Sequence, residues 1–426
     1  MTRNEAEQLL QVAITAQRAG NLDEARQLLR RVTTAYPDHP GALNSLGMIA
    51  LAQARYPDAE QSFLRATLAD PTAPDLHLNV AMARRHQHDD SGERASLEAA
   101  LAIDQRHFMA FLRLAELHER RGEHVLATQR WSGVVQLTQM ASPRMPELDA
   151  IAARGSAYLA DRQRVLADAL EEGLAAARAG TSLSDRRRFD ACMDHVLGRR
   201  RIYANECEGL HYPFLPADEF FDRAHFPWMA EIEAQTDVIR AEAEALIAAG
   251  DAAIEPYVAM DPGTPENKWT PLDRSLAWGA LHLWRHGVRD EEACARAPRT
   301  AEIVSRLPLA DLPGRTPTVF FSLLKPRTHL PAHAGVSNTR ATVHLPLIVP
   351  DGCRFRVGGE TRPWRVGEAW AFDDTIEHEA WNDSDQLRAI LIFDVWNPHL
   401  TDREQDLLRA FFKTVSRDDP AIRISD

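Results

Sequence analysis

Residues 372–396 read FDDTIEHEAWNDSDQLRAILIFDVW, and this stretch decides how the C-terminal half of the chain is interpreted. The run from Leu387 to Trp396 is rich in β-branched and aromatic side chains, a composition typical of a buried β-strand. Arg388 lies near the start of this run, ten residues after His378. An arginine on so apolar a strand needs an anionic partner, because burying it unpaired has a large desolvation cost.

Further β-rich runs precede this stretch. They cover residues 318–324, 341–349 and 353–357, and the turn signals Pro-Asp-Gly at 350–352 and Gly-Gly at 358–359 separate some of them. Short antiparallel strands at this spacing predict a double-sheet jelly roll, the double-stranded β-helix, which reduces exposed sheet edges. Helical patterns flank these runs, so the whole is predicted as a multidomain α + β protein.

Two histidines lie on either side of the strand set, His333 in the segment PAHAG and His378 in the segment quoted above. Neutral imidazole is a good iron ligand, and two ligands from different strands can converge in the mouth of a barrel. A small dicarboxylate held at one end by the guanidinium of Arg388 would meet that residue's need for an anion. Taken singly, each feature has a plainer alternative: a structural histidine, a surface arginine or an ion pair.

The first 140 residues repeat with a period of 34. The small residues Gly47, Ala81 and Ala115 are each 34 apart, as are Pro37 and Pro71. Small residues at fixed places let paired helices approach closely, and proline ends each unit because it cannot continue a helix. The pattern resembles the tetratricopeptide repeat, so we expect an α-solenoid that binds a protein or peptide; the alternative is an array that only stabilises or dimerises the protein.

The rest of the chain divides by composition. Residues 140–146 (MASPRMP) predict a break, after which helical patterning resumes to about residue 200. The predicted domains are therefore 1–140, a repeat array, 141–210, a helical linker or cap, and 211–426, a catalytic domain with flanking helices.

Bulk composition narrows the class of protein. The net charge is -13 and the pI about 5.7, so a general nucleic-acid surface is not expected. The N-terminal residues lack the pattern of a signal peptide, and no apolar stretch is long enough for a membrane span. The four cysteines are scattered without a paired spacing, which favours a reducing cytoplasm.

The C-terminal part resembles the aspartyl/asparaginyl β-hydroxylase family. The segments that carry the resemblance are FSLLKPRTHLPAH (321–333), NTRATVH (338–344), DGC (351–353), ETRPW (360–364), FDDTIEHEAW (372–381) and DVWNP (394–398), with Arg388 between the last two. The resemblance is specific over residues 316–400 and fainter back to about residue 212. Vertebrate members of the family also join a helical-repeat region to the oxygenase domain.

The resemblance implies a cofactor set and a role for each matching residue. His333 and His378 would bind Fe(II), and Arg388 would hold the distal carboxylate of the cosubstrate 2-oxoglutarate, with O2 as the oxidant. Ser322 and His344 match positions that also help to bind 2-oxoglutarate. Arg340 matches a basic position near the substrate.

Two positions around these residues bear on the chemistry. Many oxygenases of this class have a carboxylate two residues after the first histidine, but this chain has Gly335, as the family does, and water can fill the place. Four acidic residues near His378 (Asp373, Asp374, Glu377 and Glu379) are then expected as loop groups or as partners of the ligands. Thr342 stands where the animal aspartyl hydroxylase has a second arginine that grips the acidic substrate, which puts an aspartate substrate in doubt.

The sequence thus predicts a 2-oxoglutarate-dependent dioxygenase that hydroxylates an Asp, Asn or other side chain of a protein or peptide recruited by the repeats. One alternative is a non-catalytic adaptor, a repeat scaffold with a degenerate barrel. Another is a metal-dependent cupin that uses no 2-oxoglutarate; such a site needs no buried arginine.

Overall fold

A computed structural model describes residues 1–140, 145–250 and 253–415 of the chain. The chain divides into two compact units, 1–187 and 188–426, so the division falls within the segment predicted as a linker. The predicted break at residues 140–146 lies largely outside the described residues.

The first unit is a succession of helices in which each packs on the next along the chain. Its helices are α1 (Arg3–Arg18), α2 (Leu22–Ala35), α3 (Pro40–Ala52), α4 (Tyr56–Ala69), α5 (Pro74–His86), α6 (Asp90–Ile103), α7 (Phe108–Arg120), α8 (His124–Met140) and α9 (Pro146–Arg178). The predicted helical-repeat array is confirmed.

The 34-residue spacing has a direct steric reason. A Cβ atom added to Gly47 on α3 would lie 2.5 Å from the ring of Phe63 on α4, so the two helices approach closely only because this position has no side chain. Pro40 and Pro74, also 34 apart, both begin a helix, where the missing N–H of proline costs nothing.

The second unit is a β-sheet domain with flanking helices. Its helices are α10 (Leu183–Val196), which begins before the division, α11 (Met229–Glu233), α12 (Thr236–Ala249), α13 (Glu291–Arg296), α14 (Pro298–Val304) and α15 (Asp402–Thr414). Its strands are β1 (Glu255–Pro256), β2 (Trp278–Arg285), β3 (Val288–Arg289), β4 (Val319–Leu324), β5 (Thr328–His333), β6 (Arg340–Ile348), β7 (Cys353–Val357), β8 (Glu360–Pro363), β9 (Trp370–Phe372), β10 (His378–Asn382) and β11 (Arg388–Trp396).

The strands form two antiparallel sheets. The larger has the order β1-β2-β4-β11-β6-β9, with β3 paired to β2, and the smaller has the order β5-β10-β7-β8. Strands adjacent in sequence, such as β4 and β5, often lie in different sheets, as the predicted double-stranded β-helix requires.

Strand β11 shows why the domain has a core on each side of the larger sheet. Its side chains alternate: Leu391 and Phe393 pack in a cluster with α12 and α14, whereas Ile390 packs between the two sheets. A strand buried on both faces reads as a continuous apolar run, which is how it appears in the sequence. Arg388 has the parity of Ile390 and therefore points between the sheets.

Candidate active site

The two predicted metal ligands lie side by side in the smaller sheet. His333 ends β5 and His378 begins β10, and the two residues are register partners in the antiparallel pair β5–β10. Their ring centroids are 4.1 Å apart. The convergence predicted from the sequence is present.

Hydrogen bonds fix the tautomer of both rings. The Nδ1 of His333 lies 2.7 Å from the carbonyl oxygen of Pro331, and the Nδ1 of His378 lies 3.0 Å from that of Ile376. Because a carbonyl oxygen can only accept, each Nδ1 carries the proton and each Nε2 keeps its lone pair. Burial lowers the pKa of His378 to about 4 and holds the pKa of His333 well below its ordinary value. Both rings are therefore neutral at neutral pH, the form that binds a metal.

The carboxyl group of Asp374 occupies the space that a side chain at position 335 would need. A Cβ atom at this position would overlap the carboxyl group of Asp374, and the Gly335 N–H donates to the Asp374 carbonyl at 2.6 Å. Within the described part of the chain, no third His, Cys, Asp or Glu side chain joins the histidine pair in an arrangement that could hold a metal. A carboxylate at position 335 is thus sterically excluded while Asp374 keeps its position.

Arg388 is an interior cation. Its side chain is 1% exposed, and burial lowers its pKa to about 9, so it is still charged at neutral pH. Its Nη1 donates to the carbonyl and hydroxyl oxygens of Ser322, both at 3.2 Å, and its guanidinium lies 5.0 Å from the centroid of the Trp364 ring. Its buried Nε has no hydrogen-bond partner among the described residues. A buried guanidinium with an unused donor is a ready site for an anionic oxygen.

Ser322 and His344 surround the same cation. The Ser322 hydroxyl also accepts a hydrogen bond from the indole of Trp278 at 3.0 Å. Trp364 donates to the Nδ1 of His344 at 3.4 Å. Burial, followed by the charge of Arg388, holds the pKa of His344 well below its ordinary value, so the ring is neutral. Its proton is then on Nε2, which provides another donor in this interior.

Arg340 is already engaged by two carboxylates. It is 8% exposed, and its guanidinium lies 3.3 Å from Asp374 and 3.2 Å from Asp394. Asp394 also accepts from the backbone N–H of Thr318 at 2.8 Å, so the pair is anchored in the sheet. A role for Arg340 in substrate binding stays a prediction, and it would require this residue to bind substrate alongside or in place of one aspartate.

The other acidic residues near His378 are bonded within the loop and its neighbours. Asp373 is buried and accepts from the side-chain amide of Asn205 at 2.7 Å. Arg356 pairs with both Glu377 and Glu379.

A strap that the sequence did not reveal lies across both histidine-bearing loops. In the strap, residues 205–212, the N–H of Glu206 donates to the carbonyl of Thr375 at 2.7 Å. The N–H of Glu208 donates to the carbonyl of Gly335 at 3.1 Å. The strap therefore ties the loop after His333 to the loop before His378. The strap has no regular secondary structure, so its sequence has no hydrophobic periodicity from which it could be predicted.

A second element missed by the sequence covers the His333 side. Lys268 and Trp269 lie in an irregular segment between β1 and β2. The Trp269 ring meets the His333 ring edge-on, with centroids 4.8 Å apart, and the Nζ of Lys268 donates to the carbonyl of Ala332 at 3.0 Å. The charge of Lys268 is one of the smaller causes that lower the pKa of both His333 and His378.

Models of two known families match separate parts of the chain. A family model described as "Aspartyl/Asparaginyl beta-hydroxylase" matches residues 233–398, which include both histidines and Arg388. A tetratricopeptide repeat model matches residues 10–74. The strap at 205–212 lies before the first of these matched ranges.

Curated relatives carry hydroxylase names. The human "Aspartyl/asparaginyl beta-hydroxylase" is 38% identical over 146 residues, which is 33% of this chain and 19% of the human protein. The Rhizobium tropici "Ornithine lipid ester-linked acyl 2-hydroxylase" is 35% identical over 197 residues, which is 45% of this chain and 66% of that protein. The match thus spans about a fifth of the human relative's length.

Among solved structures, the crystal structure of MamA is similar to part of the chain, with 18% identity, a TM-score of 0.29, and coverage of 35% of this chain and 90% of that one. In the residues that the structure describes, no helix has the length and apolar character needed to cross a membrane.

The family models and relatives together lead to one conclusion. This chain joins N-terminal tetratricopeptide repeats to a C-terminal domain of the aspartyl/asparaginyl β-hydroxylase family.

Proposed function

We propose that this protein is an Fe(II)- and 2-oxoglutarate-dependent dioxygenase that hydroxylates an unactivated carbon in a side chain of a protein or peptide. The observation that carries the proposal is Arg388, a buried cation with an unused donor, in the same interior as two neutral histidines. A structural arginine at this depth is expected to have a carboxylate partner, because an unpaired buried charge is costly. A dicarboxylate cosubstrate supplies that partner.

The residues present fit both groups. His333 and His378 offer their Nε2 lone pairs to the metal, and their Nδ1 hydrogen bonds hold the rings in orientation. Arg388 would bind the distal carboxylate of 2-oxoglutarate, with Ser322 and His344 as neighbouring donors. These are the groups that a metal chelate with one free carboxylate needs at its two ends.

Bound iron, 2-oxoglutarate and O2 supply the oxidation: one oxygen atom enters the substrate C–H bond and the other enters succinate, with release of CO2. This chain's own residues position the cosubstrate and limit access of water. The aromatic rings of Trp364, Phe355 and Phe372 pack around His344 and keep the interior apolar. An apolar, closed interior strengthens the ionic contact of Arg388 with its anion.

We favour a protein or peptide substrate because the chain carries tetratricopeptide repeats, an architecture whose extended surfaces commonly bind peptide segments. The target would be an Asp, Asn or other side chain. The relative from Rhizobium tropici is named for a lipid substrate, so lipids are the natural comparison in any substrate screen.

The test does not need the substrate. Fe(II) and then 2-oxoglutarate are added anaerobically to the full chain, and the visible charge-transfer absorption of the chelate is followed, with His333→Ala and Arg388→Ala as comparisons. We expect a band in the wild type, no band without His333, and a band that needs far more 2-oxoglutarate without Arg388. A folded wild-type protein with no band would contradict the proposal and favour the adaptor. Iron binding without any 2-oxoglutarate effect would instead favour a cupin-type site.

A further inference from the structure

Lys268 lies beside the candidate active site in a fixed position. Its Nζ donates to the carbonyl of Ala332, the residue before His333, at 3.0 Å. The turn that presents it is held by Asn267, whose side-chain oxygen accepts from the N–H of Trp269 at 2.8 Å. Trp269 in turn packs edge-on against the ring of His333. The Lys268 ammonium group therefore contacts the residue before one proposed iron ligand, and the residue after Lys268 packs against that ligand.

The other cations around this site are already matched or enclosed. Arg340 is held between two aspartates, and Arg356 pairs with two glutamates. Arg388 is 1% exposed and points between the sheets. Arg340 and Arg356 would each have to lose a carboxylate partner to bind an incoming substrate, and Arg388 is enclosed.

Lys268, in contrast, is neither paired with a described carboxylate nor enclosed. Its side chain is exposed. Its Nζ donates to the Ala332 carbonyl and lies 5.6 Å from the centroid of the Trp269 ring. No described carboxylate forms an ion pair with it. An ammonium group has three N–H donors, and the carbonyl uses one of them, so donors remain for an anion.

Lysine is rare in this chain. Of its 49 Lys and Arg residues, only three are lysines: Lys268, Lys325 and Lys413. A lysine is a compact point charge on a flexible stem, whereas arginine is a planar fork that prefers a fixed bidentate partner. A lysine at the edge of the site suits an anion that arrives and leaves.

Resting on the function proposed above, we propose that Lys268 is a specificity-determining residue that binds a carboxylate of the peptide substrate. It would supply from a loop the positive charge that an arginine at the position of Thr342 would supply from strand β6. The substrate preference is then for an acidic side chain at or next to the hydroxylated position.

Capped peptide libraries that differ in one position test this preference. One library has Asp at a fixed central position and the other has Asn, so that shape is matched and only charge differs. Succinate formation with Fe(II), 2-oxoglutarate and O2 is compared for the wild type, Lys268→Ala, Lys268→Arg and Lys268→Glu. We expect the Asp library to be preferred by the wild type by about tenfold to a hundredfold, the strength of a hydrogen bond to a charged group. The preference should disappear in Lys268→Ala, persist in part in Lys268→Arg and reverse in Lys268→Glu.

A second readout is independent of turnover and has controls within the same molecule. Lysines are acetylated briefly in the anaerobic Fe(II)–2-oxoglutarate complex, and modification at each of the three lysines is measured by mass spectrometry. The Asp library should protect Lys268 severalfold relative to the Asn library, with no difference at Lys325 or Lys413. Equal labelling of Lys268 with both libraries would overturn the proposal, as would a retained Asp preference in Lys268→Ala.

Two further comparisons separate the possible failures. A normal charge-transfer band in Lys268→Ala shows that the iron and cosubstrate sites are intact, so a lost preference belongs to substrate binding alone. A missing band in the wild type counts against the oxygenase function itself. If vesicles of phosphatidylglycerol, and not the peptides, protect Lys268 and stimulate succinate formation, the anion is a lipid phosphate and the peptide proposal is wrong.

Discussion

The repeat array and the β-sheet unit differ in the range of the contacts that build them. In the array, Gly47 on α3 lies against Phe63 on the next helix, and Ala81 and Ala115, which follow at intervals of 34 residues, are also buried. In the β-sheet unit, Arg388 bonds to Ser322 across 66 residues, and Tyr212 bonds to Asn338 across 126. A local repeat can therefore be predicted from its sequence spacing alone. A site assembled from distant segments can be read only as separate parts.

Removal of a proposed metal ligand should have a greater effect than any other substitution considered below. His378→Ala and His333→Ala each delete a proposed metal ligand, and we expect iron-dependent succinate formation to be lost in both. The matched control is His329→Ala on the same strand as His333, because His329 is about half exposed and pairs with Glu379. Normal turnover in either ligand variant would contradict the assignment, and a loss in the control would point to general damage to β5.

The next largest effect is expected at Arg388. Arg388→Ala removes the cation proposed to bind the distal carboxylate of 2-oxoglutarate, so the KM for 2-oxoglutarate should rise by about a hundredfold. Iron affinity should change little, because Arg388 does not bind the metal. Arg388→Lys should restore part of the affinity. An unchanged KM in Arg388→Ala would mean that the buried arginine is structural.

Gly335→Asp tests whether the missing carboxylate can simply be added. By sequence pattern the variant creates the three-ligand motif of other oxygenases, and iron should bind more tightly. The structure predicts the opposite, because a side chain at 335 overlaps the carboxyl group of Asp374 and two like charges would be forced together. We expect iron affinity, measured by calorimetry, to fall by about tenfold, and tighter binding would show that the loop rearranges.

A smaller effect is expected in the repeat array, where the close approach of two helices at Gly47 can be tested. Gly47→Ala places a Cβ 2.5 Å from the Phe63 ring and should destabilise the array by about 1–3 kcal/mol. Gly173→Ala on α9 is the matched control, since nothing lies within 4 Å of its added Cβ. It should be neutral or stabilise by up to about 1 kcal/mol. Urea unfolding followed by circular dichroism measures both, and equal values would show that spacing in the array is not steric.

Much of the fold was predictable, because it depends on patterns that are local in the sequence. The strand runs at 318–324, 341–349 and 387–396 were identified close to their observed limits, and the helical array is confirmed. The helical pattern over about residues 229–249 predicts a single helix, whereas the structure has two, α11 and α12, separated by two residues. Short breaks of this kind change the hydrophobic period too little to be seen.

The candidate site was predictable only as residue types. The two histidines, Ser322, His344 and Arg388 were named from the sequence and its family resemblance, and the fold brings them to one interior. Lys268 and the strap at 205–212 were not found, because both lie in irregular segments with no periodic or motif signal.

Spacing and contiguous motifs in the sequence were enough to predict the helical-repeat array, the set of β-strands and the identity of the two paired histidines. Only the tertiary structure decided that Arg388 has an unused donor, that Asp374 fills the place beside Gly335 and that Lys268 stands at the edge of the site. The physical reason is that burial and charge pairing depend on which distant segments pack together, and packing is not encoded at any fixed spacing along the chain.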